Sequence, residues 1–368
     1  MVLHITQIEP IAVSLPMIKP LIMAGEEIRR ADNVLVRIEA GNGLVGWGEA
    51  AAAPTMTGET LESMVAATRH LTPALMGRNA ADIAGALMAM ERRLYANHGA
   101  KAAIEIALHD LVGRATGRPV HALLGNKRRN RLPLMSPIGS GDDAGDIGDA
   151  LAKRGNGFTA FKIKVGIDDP TRDAARTRAI CNALDGGYLI SADANQGFTT
   201  DQAIAFVRAV AGCGLDFLEQ PVAAYDLAGM AAVAAASEVA IGADEGIHCG
   251  ADITRHREHG VRGVSLKSIK LGGIRAVVDA GRLADDLGMM VNVSCKTGES
   301  SIGCAAALHI ASVLPNAAWG LTLTHASLAE DTTGKPIRVE RGHADVLDRP
   351  GLGIDVDEDR VQRHRVGI

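Results

Sequence analysis

The chain has 368 residues, 47% of them apolar and 22% charged, with a formal net charge of −5. That length exceeds a lone (β/α)8 barrel of about 250 residues and leaves room for a second domain. The mildly acidic balance offers no basic face to nucleic acid or to an anionic membrane, so the expected partner is a small molecule.

Five cysteines (Cys181, Cys213, Cys249, Cys295, Cys304) are odd in number and lack CxxC spacing. Reduced thiols and a cytoplasmic location are therefore expected. The opening run MVLHITQIEPIAVSLP has no basic segment ahead of an apolar one. No stretch reaches about 18 uninterrupted apolar residues, so neither an export signal nor a membrane span is expected.

Residues 2–15 and 33–49 alternate apolar and polar positions around a Gly41-Asn42-Gly43 turn, which predicts antiparallel strands and a hairpin. Gly41, Gly43 and Gly46 also match G-x-G-x-x-G. A dinucleotide loop must open a helix whose N-terminus meets phosphate, whereas here the chain continues as strand, so these glycines are read as hairpin. From Thr60 to Leu124 the pattern is helical, as in Lys101–Thr116, where apolar residues recur three and four apart. Residues 1–128 are thus expected to form an α+β domain.

From Leu132 eight short apolar runs follow: LPLMSPI, FTAFKIKV, YLISADAN, LDFLEQP, VAIGADE, GVSLKSIK, MMVNVSC and AAWGLTLT. Helical patterns separate most of them, among them Pro170–Leu184, Asp201–Val210, Ile274–Leu287 and Ser301–Val313. The fold class is α/β, with a (β/α)8 TIM barrel, open to modification in its second element, over residues 129–345. Its last helix is the weakest, because the helical rhythm lapses after Thr324. Residues 346–368, which include PGLGIDVDEDRV, are expected to pack back on the first domain.

Charged residues end the predicted strands at near-even steps. Lys164, Asp193, Glu219, Asp244 and Lys267 are separated by 29, 26, 25 and 23 residues, about one strand-plus-helix unit, so each can end a different strand at one mouth. Three carboxylates, Asp193, Glu219 and Asp244, repel one another in a partly buried mouth unless a cation lies between them. Their all-oxygen donor set suits Mg²⁺, with Mn²⁺ as a substitute. Lys162 and Lys164 are two apart on one strand and share a face, where each is expected to depress the other's pKa and free one as a base. Lys267 supplies a lysine several strands away; Gly272 and Gly273 place the strand end there and leave Lys270 as a helix-initiating surface lysine. Such lysines beside a carboxylate-bound metal suit removal of a proton α to a carboxylate, through a stabilised enediolate.

In order, FKIKVG, ADANQG, LEQP, ADEG and LKSIKLGG resemble the enolase superfamily, in its muconate lactonizing enzyme subgroup of the mandelate racemase/muconate lactonizing enzyme family. The likeness extends to the GWGE hairpin and ALHDL helix of the first domain, which the resemblance makes a capping domain. It implies Asp193, Glu219 and Asp244 as Mg²⁺ ligands, Lys164 as base with Lys162 tuning it, and Lys267 as acid or base on the other face. Asn195 falls where the family often has a polar residue supporting the site. TGESSIG resembles the family's stretch after the seventh strand, so Glu299 is expected to face the substrate. Cys295 and Lys296 depart from that stretch and, with Thr297, are candidate substrate contacts. Two capping loops are credited with specificity in this family, here Met17–Arg30 and Ala51–Thr60. Met23, Arg29 and Met56 are the candidate contacts within them, with Arg29 or Arg30 available to a distal anionic group.

The eighth strand lacks the Asp-x-Asp of dipeptide-specific members, and no histidine follows the seventh as in the mandelate racemase subgroup. The expected function is a Mg²⁺-dependent isomerase, a cycloisomerase or racemase/epimerase, acting on a small carboxylic acid or amino-acid derivative. The alternatives are a dehydratase of a hydroxy acid or hydroxyproline-type substrate, and a non-catalytic carboxylate-binding barrel. A hydrolase or aldolase on this fold is disfavoured, because no histidine falls at the five strand ends. The resemblance also implies a homo-oligomer.

Overall fold

A computed structural model describes residues 3–23, 26–41, 43–139 and 142–368; the side chains of residues 21–27 are outside the described set. Asn42, the centre of the expected turn, is also outside it. Three antiparallel strands open the chain, β1 (Ile5–Met23), β2 (Glu26–Ala40) and β3 (Val45–Ala51). The expected loop Met17–Arg30 is instead the far end of the β1–β2 hairpin: Pro16 pairs with Arg30, and after a register shift Leu21 pairs with Ile28. Pro16 and Pro20 lack backbone N–H donors, and the register shift between Pro16 and Leu21 accommodates them.

Four helices follow, α1 (Leu61–Leu75), α2 (Ile83–Arg93), α3 (His98–Thr116) and α4 (Val120–Leu124). Helix α3 lies directly on β3, and glycine makes that approach possible. A Cβ at Gly48 would sit 1.9 Å from the Ala103 carbonyl oxygen, and one at Gly46 2.3 Å from that of Ala107. The GWGE hairpin is therefore a packing motif, as the strand reading required. Helix α3 is buried on all sides from Gly99 to Gly113, because the barrel covers the face that the sheet leaves open.

The run at Leu132 divides. Strand β4 (Arg131–Pro133) joins a small peripheral sheet, and β5 (Met135–Ile138) begins the barrel. The barrel continues with α5 (Asp143–Gly155), β6 (Ala160–Lys164), α6 (Pro170–Leu184), β7 (Leu189–Asp193) and α7 (Thr200–Ala209). Next come β8 (Phe217–Glu219), α8 (Leu227–Ala236), β9 (Ala240–Ala243) and α9 (Gly250–Glu258). Strand β10 (Gly263–Leu266) leads into the short α10 (Ser268–Leu271) and then α11 (Ile274–Asp286). Strand β11 (Met290–Ser294), α12 (Ser301–Val313) and β12 (Leu321–Thr322) complete the set. The eight strands β5 to β12 run parallel in sequence order, and a bridge between Leu134 and Leu321 closes the cylinder. Stacked rings of Phe217 and Trp319, 3.8 Å apart, fill the end away from the strand C-termini. Directly after β12, where an eighth barrel helix would stand, there is a 3-10 turn at His325–Ser327.

Strand β13 (Val339–Glu340) pairs with β14 (His343–Asp345), which pairs with β4, and α13 (Glu358–His364) ends the chain. The tail returns to the first domain: Val366 N–H donates to the Ala12 carbonyl at 2.9 Å, and Leu352 N–H to Asp110 Oδ1 at 2.8 Å. Among the described residues no helix is long and apolar enough to cross a membrane.

His309 on α12 sits at this junction, fully buried. Its Nδ1 accepts from His121 N–H at 3.3 Å and its Nε2 donates to the Leu352 carbonyl at 3.1 Å. That pairing needs the neutral ring, and burial, aided by His121, pulls its pKa down from 6.5 to about 3. The unfolded chain takes up this proton below pH 6.5 and the folded chain does not, so stability falls as pH drops through that window. At pH 4.5 the expected loss from this group is ~2–3 kcal/mol. Thermal melts from pH 7.5 to 4.5 should show a shallower decline in His309→Gln than in the parent; parallel declines would remove His309 from the account.

Candidate active site at the barrel mouth

Pairing register puts the first charged strand ends in one layer. Lys164 on β6 is opposite Asp193 on β7, and Asp193 is opposite Glu219 on β8. Asp244 directly follows β9, and Lys267 directly follows β10. Alternation along β6 gives Lys162 the same inward face as Lys164. Strands β6 and β10 are four apart in an eight-stranded barrel, so Lys164 and Lys267 face one another across the mouth.

Each carboxylate is turned onto a lysine. Lys162 Nζ lies 2.5 Å from Glu219 Oε2 and 3.8 Å from Asp193 Oδ2. Lys164 Nζ donates to Asp193 Oδ2 and Asn195 Oδ1, both at 2.7 Å. Lys267 donates to Asp244 Oδ2, and Lys270 donates to Asp244 Oδ1 at 2.6 Å. Burial lowers the pKa of Lys162, but Glu219 and Asp193 outweigh it and hold the group above the ordinary lysine range. The mutual depression expected of Lys162 and Lys164 is thus reversed at Lys162, because carboxylates stand beside the two ammonium groups. Burial likewise opposes, and lysines overcome it, at Asp193 and Asp244, which stay below the usual carboxylate range. At Glu219 burial wins, with Asp193 and Asp244 adding to it, and the pKa rises.

Lys270 corrects the sequence reading. It is fully buried, and its Nζ also donates to the Ser265 carbonyl at 3.0 Å and to the Asp244 carbonyl. One turn of α10 swings it inward, so Lys267 and Lys270 grip the same carboxylate. Their i, i+3 spacing was the available signal. Two more residues escaped notice. Gln220 Oε1 accepts from Asp244 N–H at 2.9 Å and Gly246 N–H at 3.1 Å, which fixes the loop that carries Asp244. Glu245 accepts from Asn195 Nδ2 at 3.1 Å, and burial beside Asp244 pushes its carboxyl up to about 7. Asn195, Gln196 and Gln220 adopt positive φ of 42°, 70° and 36°. Such strain concentrates where side chains are held for function.

The remaining candidates scatter. Cys295 is buried, and burial with neighbouring Cys304 raises its thiol well above the ordinary range. Its neighbour Lys296 is buried, and Thr297 is half-buried. Glu299 is buried, with its Oε2 against Gly303 at the start of α12; burial, Glu49 and Cys304 raise its pKa well above the usual value. Met56 is half-buried against the core of the first domain. Arg29 is exposed on β2, while Arg30 Nε donates to Ser14 Oγ at 3.0 Å within its own hairpin. Met23 ends β1, and its side chain is outside the described residues.

As the side chains stand, no three Asp, Glu, His or Cys groups among the described residues converge to chelate an ion. The donor set nevertheless suits a hard divalent cation. All three carboxylates are buried at adjacent strand ends, and Glu219 Oε1 is buried without a hydrogen-bond partner. Lysine ammonium groups meanwhile supply the positive charge the cluster requires.

Known families match both parts of the chain. Residues 146–360 match the family described as Enolase C-terminal domain-like, and residues 7–125 the Mandelate racemase / muconate lactonizing enzyme, N-terminal domain. The chain is 31% identical to a chloromuconate cycloisomerase of Pseudomonas sp. (strain P51), over 98% of this chain and 99% of that one. It is also 31% identical to an L-Ala-D/L-Glu epimerase of Bacillus subtilis (strain 168), over 96% of this chain and 97% of that one. The crystal structure of muconate lactonizing enzyme from Pseudomonas fluorescens complexed with muconolactone superposes with a TM-score of 0.95 at 31% identity, covering 100% of both chains.

The Lys270–Asp244 pair gives a stability prediction. Lys270→Met leaves Asp244 with Lys267 alone and an uncapped Ser265 carbonyl, at an expected cost of ~3 kcal/mol in urea unfolding. A cost under ~0.5 kcal/mol would return Lys270 to the surface.

Proposed function

The chain belongs to the mandelate racemase/muconate lactonizing enzyme family of the enolase superfamily and is an isomerase of that superfamily; on that premise we propose that it isomerises a small carboxylic acid by removing the proton α to its carboxylate. The observation that carries this reading is the pair of lysines on opposite walls, Lys164 and Lys267, each hydrogen-bonded to a carboxylate of the cluster between them. One lysine can take the α-proton from one face while the other returns a proton from the opposite face, as a racemase or epimerase requires; a cycloisomerase shares the enediolate, which forms by α-proton loss from the lactone or by ring closure of the open acid and is protonated by a lysine in the latter direction.

Asp193, Glu219 and Asp244 are assigned to hold Mg²⁺, or Mn²⁺ in its place. When bound, the ion would supply Lewis-acid stabilisation of the charge that develops on the substrate carboxylate. Lys162, clamped to Glu219, orients that carboxylate and screens it from Asp193. Lys164 is the base; Asp193 and Asn195 fix its Nζ, and Glu245 fixes Asn195 in turn. Lys267 is the acid or base on the far wall. Lys270 and Gln220 act through Asp244 as positioning residues. The substrate is expected to be a small organic acid or amino-acid derivative, in keeping with the relatives' names.

Proton NMR in D₂O with Mg²⁺ tests the proposal against N-acyl amino acids, proline derivatives, muconates and hydroxy acids. Deuterium should enter at the α-carbon of one member. Its rate should fall about 10²–10⁴-fold in Lys164→Ala and vanish with EDTA. Lys267→Ala should abolish exchange from one stereoisomer and spare the other. Turnover by hydrolysis without α-proton loss, or exchange that survives both substitutions, would contradict it.

A further inference from the structure

Two thiols face each other at the end of the barrel away from the mouth, where turns enter the strands. Cys181 lies in the last turn of α6, and Cys213 in the turn that leads from α7 to β8. Their Sγ atoms are 3.9 Å apart across 32 residues of chain. Cys181 is only 4% exposed, whereas Cys213 is half-buried and open to solvent. The other three thiols are placed differently: Cys295 and Cys304 are buried, and exposed Cys249 lies 3.3 Å from Asp252 Oδ2.

Arg178, one turn before Cys181 on α6, pins the Cys213 turn to the helix. Its Nη1 donates to the carbonyls of Ala209 and Ala211 at 3.1 and 3.2 Å. Within the turn, Gly212 and Gly214 flank Cys213 with φ of 69° and 89°, and a Cβ at either would meet nothing within 4 Å. A thiol carried between two glycines in open space can close the remaining ~2 Å to a sulfur–sulfur bond without displacing packed side chains.

The two sulfurs are not equivalent. Hydrogen bonding with Cys181 first, then the Leu215 N–H and the Arg178 guanidinium, hold the Cys213 thiol below its ordinary value against its burial. The same hydrogen bond, together with burial and the Asp216 carboxylate, pushes Cys181 up. The first proton to leave the pair therefore comes from Cys213, and thiolate forms on the sulfur that solvent reaches.

We propose that Cys213 and Cys181 form a modification site, a dithiol that a hydroperoxide oxidises to a disulfide, with Cys213 attacking and Cys181 resolving. In the first step the Cys213 thiolate bonds to the distal peroxide oxygen and the O–O bond breaks. The leaving oxygen takes up a proton as water or an alcohol, and Cys213 is left as a sulfenic acid. In the second step the Cys181 sulfur bonds to that of Cys213, the S–O bond breaks, and hydroxide leaves as water with the Cys181 proton. Two thiols supply both electrons, so one hydroperoxide yields one disulfide, one water and one alcohol or second water. The site stands apart from the barrel mouth and does not depend on the chemistry proposed there.

The probe is hydrogen peroxide in modest excess over the reduced protein at pH 7, followed by alkylation and tryptic mass spectrometry. The parent should lose two hydrogens and join the peptide of Cys181 to that of Cys213. Cleavage at Arg208 and Arg255 leaves Cys213 and Cys249 on one peptide, so fragmentation assigns the bond. Cys181→Ser should stop at a sulfenic acid on Cys213 that dimedone traps, and Cys213→Ser should slow oxidation of Cys181 at least about tenfold. In the untreated parent, iodoacetamide at pH 7 should alkylate Cys213 at least about threefold faster than Cys249, a readout that needs no variant. A folded parent in which no Cys181–Cys213 bond forms, a bond to Cys249 in its place, or Cys249 alkylated first would overturn the proposal. So would the absence of a dimedone adduct in folded Cys181→Ser, or undiminished oxidation of Cys181 in Cys213→Ser.

Discussion

Carboxylates buried at the open end of a barrel persist only where positive charge reaches each of them, and this requirement sets the layout of the mouth. Asp193, Glu219, Asp244 and Glu245 lie within a low-dielectric ring, with Lys162, Lys164, Lys267 and Lys270 interleaved among them. Parallel register makes the interleaving possible, because it brings strand ends that are far apart in sequence to one height. Gln220 and Asn195 then take up backbone N–H groups and carboxylate oxygens that lysines do not reach. The strained φ values at Asn195, Gln196 and Gln220 are tolerated because this network over-determines their positions. Under the proposed chemistry, the same layout holds two lysines on opposite sides of a bound acid.

A second set of buried carboxylates locks the first domain onto the barrel. Glu49 of the GWGE hairpin accepts the N–H groups of Ser300 and Gly303 at the start of α12, at 3.0 and 2.8 Å. Glu105 on α3 accepts those of Ile274 and Arg275 at the start of α11, at 2.7 and 3.0 Å. Each places negative charge at a helix N-terminus, where unpaired N–H donors and the helix dipole favour it. Burial still lifts Glu49 to about 7 against those donors. Asn33 Nδ2 reaches the Gly298 carbonyl at 2.8 Å, and Ala329 N–H the Pro16 carbonyl at 2.8 Å. The β1–β2 hairpin therefore rests on the segment after β11 that carries Lys296 and Glu299. Capping domain and barrel together shape that wall of the mouth.

Much of this was legible in the sequence, for reasons that differ by element. Helices α6 and α12 have the bounds their periodicity gave, because a proline at the first turn of one and a serine cap on the other mark their starts. Asp193, Glu219 and Lys267 end or directly follow apolar runs, and the even spacing carried them to one rim. Lys270 was missed because helix geometry, not strand alternation, decides where it points. Glu245 and Gln220 were missed because their neighbours Asp244 and Glu219 absorbed the chemical signal of their motifs. The hairpin beyond Pro16 read as a loop because the family resemblance placed a loop there, while the strand pairing across it is visible only in the fold. At β12 the lapse of helical rhythm after Thr324 was a true signal, since a 3-10 turn stands where an eighth helix would complete the pattern.

The claim most exposed to test is that the cluster of Asp193, Glu219 and Asp244 is built to receive a divalent cation that lysines stand in for. Calorimetric titration of Mg²⁺ into the parent and into Glu219→Gln, Asp193→Asn and Asp244→Asn addresses it directly. The account predicts one site per chain in the parent and affinity reduced at least about tenfold in every variant. A folded parent that binds no Mg²⁺, or variants that bind it as well as the parent does, would contradict it.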